Sequence, residues 1–231
     1  MTKNAPGHLR STDNHWFGFS KRTQTLLYNS ATLNEAELKG YADLADSRWA
    51  GNLCLRTSQQ PYTQSLVAMM INRDCEQKTL TTLQGWVDNL SVRPFAEDTQ
   101  IFSAMEQQIC DVSIVNAYYF ARYKQEHPET SLKLFWADQD SSGVHVDITG
   151  AALIRHAPNR EQAIDLLEWL TTRQAQVQYA GLSLGYPVNK KVYPVREIAR
   201  RGSFIEDQSN VAAIGIYRKQ AVALLKQAGY R

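Results

Sequence analysis

Cysteine is scarce in this chain: Cys54, Cys75 and Cys110 are the three among 231 residues. They lack the paired short spacing of a zinc site, and an odd count permits at most one intrachain disulfide with a thiol left over. Cys54 and Cys110 lie in or beside strand-like segments, so they can meet in one sheet or remain buried free thiols. No stretch approaches the ~20 apolar residues of a membrane span, and Met1 to Arg10 has no apolar core resembling a secretory signal. Read as written, the chain is expected to stay in the cytoplasm. An excess of one charge is also missing: 25 basic against 23 acidic residues leave +2. The densest basic clusters, Lys190-Lys191 and Arg200-Arg201, are short, whereas a nucleic-acid surface needs a basic stripe, so no nucleic-acid partner is expected. There is no Gly-rich phosphate loop, no Gly-x-Ser-x-Gly elbow and no His-Glu-x-x-His helix, and the carboxylates form no recognisable acid/base pair. The sequence therefore does not read as an enzyme. Internal repeats, low-complexity tracts and obvious linkers are absent as well.

What is present is an ordinary globular composition, 43% hydrophobic and 21% charged. Short Val-, Ile- and Leu-rich runs alternate with helical patterns, the mark of an α/β protein with a parallel or mixed sheet. Strands are predicted over Gln24 to Tyr28, Asn52 to Arg56, Asp111 to Asn116, Leu132 to Trp136 and Val144 to Ile154. Helices are predicted from Glu35 to Ala45 behind an Asn34 cap, Thr63 to Ile71, Glu76 to Leu90, and Thr99 to Gln107 behind Asp98. Further helices run from Arg160 to Leu170 behind Asn159, from Arg173 to Ala180, and from Asn210 to near Gly229.

The doublet Tyr118-Tyr119 stands where the apolar run Asp111 to Asn116 ends and the helix-like stretch Ala117 to Glu126 begins. At a strand-to-helix junction, strict alternation stops before helical spacing is established, so neighbouring side chains can converge on one point. Phenol, with an ordinary pKa of about 10, is a poor ligand until a strongly charged cation displaces its proton; a hard trivalent ion such as Fe(III) can do this. On the doublet alone packing is the favoured use of these two residues, with apolar rings inside and wet hydroxyls outside.

Several stretches resemble, in order, the bacterial periplasmic solute-binding proteins of the ferric iron type. They are Trp16 to Arg22, Tyr41 to Gly51, Cys54-Leu55-Arg56-Thr57-Ser58, Asp111 to Tyr119, His145 to Ala151 and Tyr186-Pro187-Val188-Asn189. The resemblance covers nearly everything from Trp16 onward. It implies an α/β, two-lobed periplasmic binding protein type II architecture and a transported Fe(III) held by the phenolates of Tyr118 and Tyr119. A third tyrosine is implied at Tyr62, after Ser58-Gln59-Gln60-Pro61. The resemblance also implies a companion anion, carbonate or phosphate, in the remaining coordination positions. For that anion the residues offer a helix N-terminus after Thr57 to Gln60 with the Ser58 hydroxyl, the Asn116 amide, the Arg22 fork and, more weakly, Thr99. His145 does not match the family's ligand histidine and reads as structural; His8 and His15 do not match it either.

Relative to that family, the first run of strands and helices is expected to be missing, leaving the first lobe incomplete. The expected division is residues 1–30 as a remnant of the N-terminal lobe, 31–135 as the second lobe, and 136–231 as the returning part of the first. The family implies a periplasmic location, a membrane permease of an ABC transporter as partner, a monomeric state and no chemistry on the ligand. Ferric binding weaker than in a longer relative is expected. Two rival readings stand beside this one: the same fold binding an anion or small organic solute without metal, and a nonfunctional gene fragment.

Overall fold

The computed structural model describes residues 3–182, 185–194 and 196–231. In chain order the elements begin with strand β1 (Trp16–Asn29), β2 (Leu53–Cys54), helix α1 (Pro61–Asp74), α2 (Glu76–Asp88) and α3 (Asp98–Glu106). They continue with β3 (Val112–Asn116), α4 (Ala117–Glu126), β4 (Leu132–Phe135), β5 (His145–Ala152), α5 (Arg160–Leu170) and α6 (Arg173–Leu182). The last are β6 (Tyr186–Pro187), α7 (Arg196–Ala199), α8 (Val211–Ile216) and α9 (Arg218–Gln227).

The chain forms two compact units: residues 1–22, 146–203 and 210–213 in one, and residues 23–145, 204–209 and 214–231 in the other. The sequence-based division falls at 30/31 and 135/136 instead, and it assigns the C-terminal helix to the first lobe, whereas α9 belongs to the second unit.

In the second unit, β1 lies between β3 and β4 and is antiparallel to both, with Gln24 opposite Asn116 and Leu26 opposite both Ile114 and Phe135. The edge strand β2 runs parallel to β3 with Leu53 beside Val112. Alternation sends Leu26, Tyr28, Leu53, Val112 and Ile114 to one face, where they pack with residues of α1, α2 and α9, including Leu66, Met69, Trp86 and Leu224. Leu27, Cys54 and Val115 point to the other face, against Ile101, Phe102, Met105 and Phe120 of α3 and α4. With both faces covered, the strands read as near-continuous apolar runs, which is why β3 is plain in the sequence. The first unit has its own smaller cluster of Ala5, Phe17 and Phe19, with Leu167, Leu170 and Tyr179 packed on it. Buried Gln176 knits that unit by donating to the carbonyls of Phe19 at 2.8 Å and Leu170 at 2.9 Å and accepting from the Val188 N–H at 2.9 Å.

Three predicted elements differ in instructive ways. β1 runs well beyond Gln24–Tyr28 because Ser20, Thr23, Gln24 and Thr25 are all buried, so a polar/apolar pattern does not mark its first half. The predicted helix Glu35–Ala45 is two short 3-10 turns, Glu35–Glu37 and Ala42–Ala45. Asn34 does form its capping box with Glu37, but Leu38 is extended and Gly40 then packs so closely on Asp138 that a Cβ at Gly40 would overlap the Asp138 carboxylate. The last predicted helix is split into α8 and α9 at Tyr217, although Asn210 caps its start by accepting from the Ala212 N–H at 2.8 Å.

Gly85 gives the fold a direct test. It sits in α2 where a Cβ would lie 2.6 Å from the Ala45 Cβ and 2.7 Å from the Ala45 carbonyl oxygen. Gly to Ala in a helix interior gains about 1 kcal/mol from propensity, whereas overpacking against backbone costs about 1–3 kcal/mol. Gly85→Ala is therefore expected to lower stability, read as an earlier urea midpoint at unchanged slope; a later midpoint would contradict this packing.

Candidate functional site

The doublet's backbone is fixed by Asn116, the last residue of β3 and the N-cap of α4. Its Oδ1 accepts from the Tyr118 N–H at 3.1 Å, so strand passes into helix without a loop. The rings of Tyr118 and Tyr119 meet edge to face with centroids 5.0 Å apart, and both side chains are half-buried. Arg122, one turn on, donates to the Tyr118 hydroxyl at 3.3 Å. The two rings are therefore neighbours at this junction.

Tyr62 arrives from a different element. α1 opens with Pro61 after Gln60, which makes no side-chain cap, and proline suits that first position because its missing N–H has no helical partner there. Buried Gln24, opposite Asn116 on β1, donates to the Tyr62 carbonyl at 2.7 Å and ties the start of α1 to the sheet. The Gln24 carbonyl in turn accepts from the buried Tyr41 hydroxyl.

Between these elements is a cavity of about 20 Å³, lined by Arg56, Gln60, Tyr62, Asp98, Asn116 and Tyr230 among others. Asn116 spends its carbonyl oxygen on the cap, and its Nδ2, fully buried, has no hydrogen-bond partner. Buried Arg56 Nε is likewise without a partner. Arg56 Nη1 donates to Asp98 Oδ2, and Asp98 Oδ1 accepts from the Asn116 N–H at 3.2 Å. One carboxylate thus joins the loop after β2 to the end of β3. Burial pulls the Arg56 guanidinium below its ordinary pKa, while Glu97 and the nearby tyrosines act in the opposite direction. Tyr230 is not an open phenol: it donates to the Arg56 carbonyl at 2.7 Å, and burial pushes its pKa up.

The other sequence candidates fall at varying distances from this centre. Ser58 is half-buried and its N–H donates to the Arg231 carbonyl at 3.2 Å, but it is outside the cavity lining. Thr99 is exposed on α3 and does not line the cavity, while its neighbour Asp98 does. The predicted cap role of Asp98 passes to Glu97, which forms a capping box with Gln100, because the Asp98 carboxylate is turned inward to Arg56 and Asn116. Arg22 belongs to the first unit. His145 is buried, with Nε2 3.0 Å from Ser65 Oγ and its backbone N–H donating to the Tyr41 hydroxyl at 2.9 Å. Arg56, Asp98, Gln24 and Tyr230 escaped the sequence reading; a buried-charge argument needs partners that are distant in the chain. Among the described residues no group of three or more His, Cys, Asp or Glu could hold a metal ion.

Cys54 and Cys110 form a disulfide with Cα atoms 5.9 Å apart, and Cys75 is an exposed free thiol. The sequence left that pairing open. The register of β2 on β3, with Cys54 opposite Ser113, brings the chain before β3 within reach.

The family model described as bacterial extracellular solute-binding protein matches residues 1–205. Iron uptake protein A1 of Synechocystis sp. is 33% identical over 237 residues, which take in 100% of this chain and 66% of that protein. The Fe(3+)-binding periplasmic protein of Serratia marcescens is 24% identical, over 95% of this chain and 65% of its own length. The chain thus spans just under two thirds of these curated relatives. Among solved structures, the Trichodesmium protein IdiA (FutA), in complex with iron and citrate ligands, superposes with a TM-score of 0.95 at 33% identity, over 99% of this chain and 74% of that one.

Proposed function

Because this chain belongs to the bacterial extracellular solute-binding protein family, we propose that it is the solute-binding component of an ATP-driven importer and that its solute is ferric iron. The observation that carries the reading is the Tyr118–Tyr119 ring pair at the β3–α4 junction, capped by Asn116, which lines one cavity with Tyr62. Three phenol oxygens are the hard, ionisable donors that Fe(III) selects, and loading the ion displaces their protons. The likeness to iron uptake protein A1 and to the Fe(3+)-binding periplasmic protein supports iron over other solutes.

In this reading Tyr62, Tyr118 and Tyr119 hold the ion as phenolates. A companion anion, carbonate or phosphate, takes the coordination positions left over. The unpartnered Asn116 Nδ2 and the uncapped N-terminus of α1 suit such an anion, since both present donors and the helix end carries partial positive charge. Arg22, Ser58 and Thr99 remain proposed anion contacts that make no contribution to the cavity wall. The protein does no chemistry on its ligand and passes it to a membrane permease. A periplasmic site of action agrees with the Cys54–Cys110 disulfide, because such bonds persist in oxidising compartments.

The test is a visible absorption titration of the purified chain with ferric iron in bicarbonate buffer. A phenolate-to-iron charge-transfer band saturating at one iron per chain is expected, with release of about three protons per iron, one for each phenol ligand. Soluble, folded protein that binds inorganic anions but develops no band would replace this reading with that of a metal-free anion binder.

A further inference from the structure

We propose that the first unit carries a binding site of its own, a basic concavity between residues 3–10 and the turn 189–191 that takes a small phosphate-type anion with more than one charged group. The inference does not rest on the ferric reading, because every residue that forms the concavity lies in the first unit and none lines the cavity beside Tyr62.

Lys190-Lys191 is one of the densest basic clusters in the sequence, and the ferric reading gives it no role. In the structure both lysines are exposed and line a concavity of about 360 Å³ together with Lys3, His8 and Arg10. Four formal cations and a histidine thus border one space in a chain whose net charge is only +2, and among the described residues no carboxylate lines it. Like charges gathered in this way repel one another, and a concave surface of one sign concentrates counter-ions.

The walls are fixed independently of any ligand. Buried Thr171 accepts from Asn4 Nδ2 at 3.3 Å through its Oγ1 and from Asn189 Nδ2 at 3.0 Å through its carbonyl, so one residue anchors both sides. On the lysine side, Asn189 Oδ1 accepts from the Lys191 N–H at 3.0 Å and the Asn189 carbonyl from the Val192 N–H at 2.9 Å, which closes a turn with both lysines at its tip. On the other side, Ala5 packs with Phe17 and Phe19, and Asn210 Nδ2 donates to the Gly7 carbonyl at 2.9 Å. An anion entering here does not have to order the frame that carries the cations.

Size and donor type then select the ligand class. The space is several times the share of one water, about 30 Å³ in the liquid, so an atomic ion would leave most of it to solvent. Lys3 and Arg10 stand on one wall and Lys190 and Lys191 on the other, and an anion with two charged groups bridges them. Ammonium point charges and a guanidinium fork are the side chains that phosphate oxygens select.

The test is equilibrium dialysis of the iron-free chain against pyrophosphate at low ionic strength, with Lys190→Gln/Lys191→Gln and, separately, Gly7→Asp. The double variant keeps the backbone bonds of the turn. Gly7 also lines the concavity, and a Cβ there meets nothing within 4 Å, so aspartate adds a carboxylate beside the cations without a clash. Wild type is expected to bind pyrophosphate more tightly than orthophosphate, and each variant to bind pyrophosphate about tenfold or more weakly at an unchanged melting temperature. Equal binding by wild type and both folded variants, or no binding by wild type, overturns the proposal. Phosphatidylglycerol vesicles that hold wild type but not the variants, with free pyrophosphate unbound, would assign the lysines to a membrane surface and overturn it too. A missing ferric band would leave this site standing.

Discussion

The phenolate-to-iron charge-transfer band is expected to lose most of its intensity, with only Tyr62 left to contribute, and ferric affinity to fall by about four orders of magnitude or more, when Tyr118 and Tyr119 are both replaced by Phe. Residues that only hydrogen-bond a metal's ligands typically contribute about 10–100-fold each, so about 100-fold for each of two direct ligands is a conservative floor. The variant separates the two roles open to these tyrosines. Phe retains both rings, their edge-to-face contact and the packing of residue 119 on the cluster around Phe102 and Phe120. The Asn116 cap is a backbone interaction and is untouched. Packing alone would therefore leave thermal stability and binding unaltered, whereas ligation removes binding with little change in melting. The measurement is the same visible titration, with circular dichroism melting alongside it; an unchanged band in the double variant would refute phenolate ligation by the doublet.

Breaking the Cys54–Cys110 bond is expected to cost about 4 kcal/mol, since the bond closes a loop with a sequence separation of 56. That is a large part of the roughly 5–15 kcal/mol that stabilises an ordinary domain, and it corresponds to a fall in melting temperature of about 10 °C. The bond fastens the chain before β3 to β2, and both sulfurs are buried among Ile101, Phe102 and Met105. Arg56 follows Cys54 by two residues, so loosening β2 also loosens the loop that holds the Arg56–Asp98 pair. A Cys54→Ala/Cys110→Ala variant, or wild type in excess dithiothreitol, would be compared with the oxidised protein by denaturant titration. Coincident midpoints would show that the bond is not formed in solution. Cys75 is an exposed thiol outside this pair and serves as the internal control for thiol counting.

Legibility of the site followed the range of the interactions. Tyr118-Tyr119, Asn116 and the junction of β3 with α4 depend on residues within a few positions of one another, and the apolar run followed by a helical pattern shows them directly. The position of Tyr62 after Pro61 is local too, but the bond that secures it comes from Gln24, 38 residues earlier. Asp98 illustrates the limit most clearly. Its place before a helix reads as a cap, and any sequence argument would leave its carboxylate at the helix end; instead Glu97 takes the cap and Asp98 turns toward Arg56, 42 residues away. The choice turns on burial, because a guanidinium removed from water must be paired, and a capping role can be filled by the neighbouring residue.

The sequence by itself determined the α/β class, the position of β3 and α4, and the tyrosine doublet at their junction. Each of these is written in periodicity, capping or residue type, which act over one or two turns of chain. The tertiary structure alone decided that Cys54 pairs with Cys110, that Glu35 to Ala45 breaks into short turns so that Gly40 can fit against Asp138, that β1 extends back through buried polar residues, and that Arg56 and Asp98 stand behind the tyrosines. Strand register, close packing and the pairing of buried charges bring together residues tens of positions apart, and their energies exist only once the chain has closed on itself.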